Sequence, residues 1–522
     1  MVLIISYILF FLFTLITFIS ILGFGKIFLF FFKLNNNNLV AQYRTVEFVL
    51  GLILLGFLGI LINLYFNLSD IISVCLLILG AIFFIFFSLR LKLEYNKAEL
   101  VIVLSIILLS TFFSFYSLSN DDFDYHFRMI TNFKEFSLFD IEHGRRTSYN
   151  SHWIFINAIL YITKYPSSVF CITSLLYALT LFDFYQSFRR NYQNNHYLPT
   201  TYSFLVLFFL IGVMNEYKNF GTDFPGQIIL LFIFLIFFER FKSIINNIDN
   251  TTFFLLSVLA IFAFTIKLIN ALIFLLLLIL FFHLKRKIYI LLVCFIITLP
   301  AILWLFQNYI ISKCLIWPIA ITCFYSAHNV IHEMLIIESF AKSVYGMGYS
   351  MDELEIIVKN FNWLPIWLQN YLPKLLETYV VYIILLIIPV IIFQFKKVSH
   401  KNINLNATTA KVLNINFHNP YYIFSFVSIL STLFWLIKAP GYRFGISYNL
   451  NFIIIFLLPF WHNILIKDKI FFKNSMKILL IIATLVFLYN NFSKSQQYVE
   501  RHGLKWPNIV DGKYIYKKGL IL

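Results

Sequence analysis

Residues 99–118 read ELVIVLSIILLSTFFSFYSL, and residues 119–152 read SNDDFDYHFRMITNFKEFSLFDIEHGRRTSYNSH. The first stretch is long enough to cross a bilayer as a helix, which takes about 20 apolar residues. The second crowds charge into one loop: Asp121, Asp122, Asp124, Glu135, Asp140 and Glu142 are six of the 24 acidic residues in the chain. A solvated loop of mixed charge is the bland account. Such a loop rarely packs three Asp, a Tyr and a His into six residues, as 121–126 do. Ionisable clusters that a membrane protein keeps beside its spans mark functional sites. The alternation of apolar run and polar loop decides the fold class, because it recurs along the whole chain.

Composition agrees, with 61% hydrophobic and 12% charged residues, and points to a polytopic membrane protein. Apolar runs lie near 2–32, 47–66, 71–90, 99–118, 153–188, 200–214, 225–241, 252–268, 270–284, 288–312, 379–395, 421–437, 450–465 and 477–491. The expected fold is all-α, a polytopic transmembrane helix bundle of about 12–14 spans. The run 153–188 reads as a short helix followed by a span starting at Pro166, and 252–284 reads as two short helices broken near Lys267 and Asn270. Val2–Phe32 is too long for a signal-peptide core and reads as the first span. The chain divides into N-terminal transmembrane helices (1–98), a transmembrane core with large loops 119–152 and 313–378 (99–491), and a C-terminal tail (492–522).

The net charge of +16 does not imply nucleic acid, because no basic patch is concentrated on a folded domain. Lys and Arg sit instead in short loops, where they set topology. One set of alternate loops holds Lys33 with Arg44, Arg90 with Lys92 and Lys97, Arg189 with Arg190, Arg240 with Lys242, Lys285-Arg286-Lys287, Lys396 with Lys397 and Lys401, and Lys467 with Lys469 and Lys473. These loops are expected to face the cytoplasm. The other set holds Asn67–Asp70, the acidic loop, Asn215–Phe224, the loop 313–378, Lys438–Asn449 and the tail, all expected on the extracytoplasmic side. Cys75, Cys171 and Cys294 lie in apolar runs and read as small core residues. Cys314 and Cys323 share one loop and can pair only on an oxidising side; the spacing leaves this open.

Within the acidic loop, Asp122, Asp124 and His126 are the candidate catalytic residues. Clustered carboxylates at a membrane surface can act as a general base or hold a divalent metal. From His126 to Phe139, Phe127, Ile130, Phe133 and Phe136 recur at helical spacing, which suits a membrane-parallel helix with its apolar face down. Arg145 and Arg146 point to a phosphate-bearing substrate, since guanidinium forks match phosphate oxygens, although Arg also serves as an interfacial anchor. Asp223 precedes Pro225 at a helix start, where capping is its ordinary role. Lys267 interrupts an apolar run, where a charge is costly, unless it snorkels out from a helix break. Arg443, between Gly441 and Gly445, stands at the outer start of a late span. Trp363 and Trp367 read as interfacial anchors. Nearly all ionisable groups fall at the outer face, with Lys267 the main exception.

This arrangement resembles the GT-C superfamily of polytopic glycosyltransferases, which use polyprenyl-phosphate sugars. The likeness is to protein O-mannosyltransferases and lipid A aminoarabinose transferases, and is closer to a bacterial subgroup with an acidic D-x-D/G-x-Y-H loop and a G-R-x-x-x-N-S-x-W element. Here these read DFDYH at 122–126 and GRRTSYNSHW at 144–153. Further likenesses are Thr222-Asp223-Phe224-Pro225, Thr265-Ile266-Lys267-Leu268, Gln307–Ser312 leading to Trp317-Pro318, and Arg443-Phe444. The resemblance runs over about residues 100–450. It implies an inverting hexosyltransferase in the bacterial cytoplasmic membrane, with its site outside. Its partners would be a polyprenyl-phosphate-linked sugar and an extracytoplasmic glycan, lipid or protein acceptor. Asp122 or Asp124 would be the base, with His126 in support; Arg145, Arg146, Asp223, Lys267 and Arg443 would bind the substrate or its phosphate. No cofactor follows beyond a divalent metal as one option. The alternative is a transporter or flippase of lipid-linked glycan, which would line a mid-membrane path with ionisable groups. A structural envelope subunit would leave DFDYH without a purpose.

Overall fold

The computed structural model describes residues 2–32, 43–90, 97–114, 126–141, 150–213, 220–245, 250–283, 299–317, 319–324, 327–399 and 419–502. Asp121, Asp122, Asp124, Arg145, Arg146 and Cys294 lie outside the described residues. Among the described residues the elements are α-helices and short 3-10 turns, with no strand. Nine helices among the described residues are long and apolar enough to cross a membrane: Tyr7–Phe31, Arg44–Asn63, Asp70–Arg90, Ser167–Gln193, Asp223–Phe241, Leu364–Lys396, Pro420–Lys438, Arg443–Lys467 and Lys469–Lys494. Shorter apolar helices account for the other expected runs, at 100–109, 197–212, 250–266, 268–282 and 299–312.

Two expected breaks occur for readable reasons. The 153–188 run splits into a helix at His152–Leu160 and a longer one from Cys171, with Pro166 opening the 3-10 turn between them. The 252–284 run stops at Ile266, where Lys267 turns extended (φ −154°), and resumes at Ile273. Two boundaries differ from expectation. The helix Leu364–Ser399 extends back through Pro373, so the second large loop ends near residue 363 rather than 378. The last helix runs from Lys469 to His502, well into the stretch expected as tail.

The helices Val2–Phe31, Arg44–Asn63 and Asp70–Arg90 cross almost backbone to backbone. A methyl group at Gly23 would lie 1.8 Å from the Gly80 carbonyl oxygen, and one at Gly51 2.0 Å from that of Ile21. Small residues permit this approach, which maximises van der Waals contact where no solvent drives association. These helices are joined to the rest of the bundle. Asp183 accepts hydrogen bonds from the backbone N–H of Arg44 (3.2 Å) and Thr45 (2.7 Å), satisfying orphan donors at a helix N-terminus from across the fold.

Buried charge at this end of the bundle corrects the expectation that ionisable groups gather at the other face. Lys26 and Glu47 form a 2.9 Å ion pair with side chains 5% and 4% exposed. Arg190 pairs with Glu239 at 2.9 Å, and Tyr43 and Asn191 close on the same carboxylate. Each of these charges has a protein partner, the arrangement a buried charge needs to persist. Lys469 with Asn195, and Lys396 with Asp468, meet at this same end. All of these residues lie in or beside loops of the Lys- and Arg-rich set.

At the opposite end, the first-loop helix Arg128–Glu135 buries Met129, Ile130, Phe133 and Lys134. Its apolar side packs on protein: the Phe133 ring lies 5.0 Å from Phe155 and the Phe127 ring 5.4 Å from Tyr161. Phe136 and Phe139 are the exposed aromatics, at 44% and 58%. The apolar face expected to point into lipid therefore docks on the bundle. Leu68 N–H donates to the Phe133 carbonyl (2.9 Å), and Lys134 reaches Asp70 (3.4 Å) and Ser73 (2.5 Å). Burial pulls the Lys134 ammonium down to about 8, against the pull of Asp70. Asp70 in turn accepts from the Thr163 N–H, so three loops at this end converge on one carboxylate.

Candidate functional site

The site is built on the helix break. Once the chain leaves the helix at Ile266, Lys267 is free of helical geometry and its ammonium pairs with the Asp223 carboxylate. Asp223 opens the helix Asp223–Ile245, where the N-terminal dipole favours an anion. Both side chains are 22% exposed. The Lys267 ammonium also lies 3.7 Å from the centre of the Phe444 ring, a close cation–π contact. The charges of Arg443 and His126 act on the Asp223 carboxylate as well as that of Lys267. Four candidates named from sequence, separated by up to 317 positions, therefore share one locus.

Arg443 is held by a residue that the sequence reading missed. Gln227, one turn into the Asp223 helix, is 2% exposed. Its Nε2 donates to the Arg443 carbonyl (2.5 Å), and its Oε1 accepts from the Ser447 N–H (3.1 Å). One amide thus brackets the 3-10 turn Tyr442–Gly445 and sets where Arg443 starts. The available signal was a Gln inside an apolar run. A second clamp is Tyr448, whose hydroxyl donates to Asn270 Oδ1 (2.7 Å) and fixes the far side of the Lys267 break. Gly226 leaves room for this clamp, because a Cβ there would sit 2.5 Å from Asn270 Nδ2, which donates to the Ala263 carbonyl (2.8 Å).

The large loops border this locus. His126 stacks edge-on with Phe220, centroids 6.2 Å apart. Where the first loop re-enters, Ser151 Oγ donates to the Ile266 carbonyl (2.8 Å) and Trp304 Nε1 donates to the Asn150 carbonyl (3.0 Å). Cys314 and Cys323 form a disulfide that pins a small hairpin after helix Leu299–Ser312. Trp363 and Trp367 are buried, which corrects their reading as lipid anchors. Trp367 Nε1 donates to the Pro440 carbonyl (2.7 Å) and so ties the second loop to the Arg443 turn. Cys75, expected in the core, is exposed, whereas Cys171 is buried. Among the described residues no group of three or more His, Cys, Asp or Glu could hold a metal ion.

With this geometry in view, the comparisons add one result. A model described as "Domain of unknown function (DUF8201)" matches residues 7–450. The chain belongs to the DUF8201 family. The DUF8201 match takes in the N-terminal helices as well as the Asp223, Lys267 and Arg443 segments, in line with their being joined in one bundle. No curated protein and no solved structure matches the chain.

Proposed function

We propose that this protein is a membrane glycosyltransferase that moves a sugar from a polyprenyl-phosphate donor to an extracytoplasmic acceptor. The observation that supports it is the convergence of Lys267, Arg443 and His126 around Asp223. Such a cluster can hold a sugar phosphate through charge-assisted hydrogen bonds and neutralise it as it leaves. His126 directly follows Asp122-Phe123-Asp124-Tyr125, and Asp124 is two residues away, a chain length of no more than about 7 Å. Asp122 or Asp124 takes the proton of the acceptor hydroxyl while its oxygen attacks the anomeric carbon. The bond from that carbon to the phosphate oxygen breaks, its electron pair leaves on the phosphate, and configuration inverts. Arg145 and Arg146 belong with the phosphate in this reading. The fully partnered charges at the other end of the bundle serve the fold, which disfavours a transport path.

The test is the lipid-linked and surface glycans of cells with and without the gene. Glycans one sugar shorter in its absence support transfer. An intact precursor accumulating on the cytoplasmic side supports a flippase and defeats transfer.

The sidedness is a second expectation, motivated by the loop charges and by a disulfide, which persists in oxidising compartments. Cysteines introduced at Phe139 and Met347, in a Cys75→Ser background, should react with a membrane-impermeant thiol reagent on intact cells (spheroplasts where an outer membrane intervenes). Labelling only after lysis would reverse the topology.

A further inference from the structure

Near the Lys267 break lie buried amides that no described residue completes. Asn150 and Gln307 are 6% and 0% exposed, and neither the oxygen nor the nitrogen of either amide has a hydrogen-bond partner. A buried polar group left unpaired destabilises the fold, so four such atoms are costly unless something binds them. Their placement is fixed by neighbours that are paired. The Asn150 carbonyl accepts from Trp304, and Gln307 follows Trp304 by three residues, on the same helix face. Ser151, next to Asn150, is bonded to Ile266, next to Lys267. His152 follows, its Nε2 also without a hydrogen-bond partner, in a cavity it lines with Ile53, Phe262, Thr265 and Pro300.

We propose that Asn150 and Gln307 form a subsite that reads the hydroxyl groups of the sugar carried on the donor phosphate. The inference rests on the glycosyl-transfer reading and names its recognition element. Three chemical points select a sugar. An amide presents a donor and an acceptor together, as each sugar hydroxyl requires. Both amides are uncharged, so the phosphate falls to Lys267 and Arg443. A prenyl tail would leave all four atoms unsatisfied.

The test measures binding to the full chain in nanodiscs, with polyprenyl monophosphate and its glucosyl, galactosyl and mannosyl forms as probes. The wild type should hold one sugar-bearing lipid at least about tenfold tighter than the bare phosphate. Asn150→Leu and Gln307→Met should each erase about tenfold of that preference, with binding of the bare lipid unchanged and Tm unchanged or raised, because each removes an unpaired buried amide. Retained preference in both variants would overturn the subsite, leave the amides to ordered water, and keep the phosphate reading. A fall in Tm in both variants would mark the amides as structural and overturn it as well. A wild type that binds neither kind of lipid would remove the phosphate reading and the subsite together.

Discussion

Asp122→Asn is expected to lower glycosyl transfer by about 10²–10⁴-fold, the usual cost of losing a general base, while expression and membrane insertion stay at wild-type levels. The substitution keeps the size of the side chain and its capacity to accept hydrogen bonds. It removes only the basicity needed to take the acceptor proton. Asp122 holds the first acidic position of DFDYH, where the likeness to GT-C enzymes puts the essential carboxylate. Asp121 and Asp124 are close enough in sequence to substitute, so the three Asn variants belong in one experiment. The comparison is made at saturating acceptor, by transfer per folded protein. Full activity in Asp122→Asn with an inactive Asp124→Asn moves the role to Asp124. Wild-type rates in all three Asn variants exclude a carboxylate base among Asp121, Asp122 and Asp124, and the transferase reading goes with it.

Much of the architecture was legible because its signals are local. Apolar length gave the helices, Pro166 gave the start of a span, and Lys267 with Asn270 gave the break. Lys267, Asp223 and Arg443 were legible as candidates because each is a charge at the edge of an apolar run. That they belong together followed only from the resemblance; the structure pairs Lys267 with Asp223. What escaped was pairing at long range. Lys26 stands inside the first apolar run, but its partner Glu47 lies on the next helix. Asp183 and Glu239 lie inside runs read only for their hydropathy, yet Asp183 completes the start of Arg44–Asn63 and Glu239 receives Arg190. Lys134 fell on the polar side of a periodic pattern and is nevertheless buried, because Asp70 and Ser73 from another loop receive it. Likewise Pro373 reads as a loop residue, but Leu364–Ser399 carries it inside a helix along with Pro389. Gln227 was invisible as a site residue because its function is to hold backbone atoms more than 200 positions away.

Lys267→Met and Arg443→Met are each expected to reduce transfer by about 10²–10³-fold, the effect of removing one pre-placed group that stabilises charge developing in a transition state. The donor phosphate gains negative charge as the sugar leaves, so a cation there favours the transition state more than the bound substrate. The loss should therefore appear mainly in kcat for Arg443→Lys, which retains the charge but loses the bidentate fork. Asp223→Asn separates this account from a purely structural one. If the Lys267–Asp223 pair exists only to hold the helix break, removing either partner should harm stability alike, since each leaves the other charge unpaired. If the cations serve a phosphate, Asp223 is a competing anion in the unliganded protein. Asp223→Asn should then bind bare polyprenyl phosphate as tightly as the wild type or more so, whereas Lys267→Met binds it more weakly. Binding measured by titration in nanodiscs, beside Tm for each variant, distinguishes the two. Equal losses of Tm with unchanged lipid affinity in both would assign the cluster to the fold and leave the phosphate without a site there.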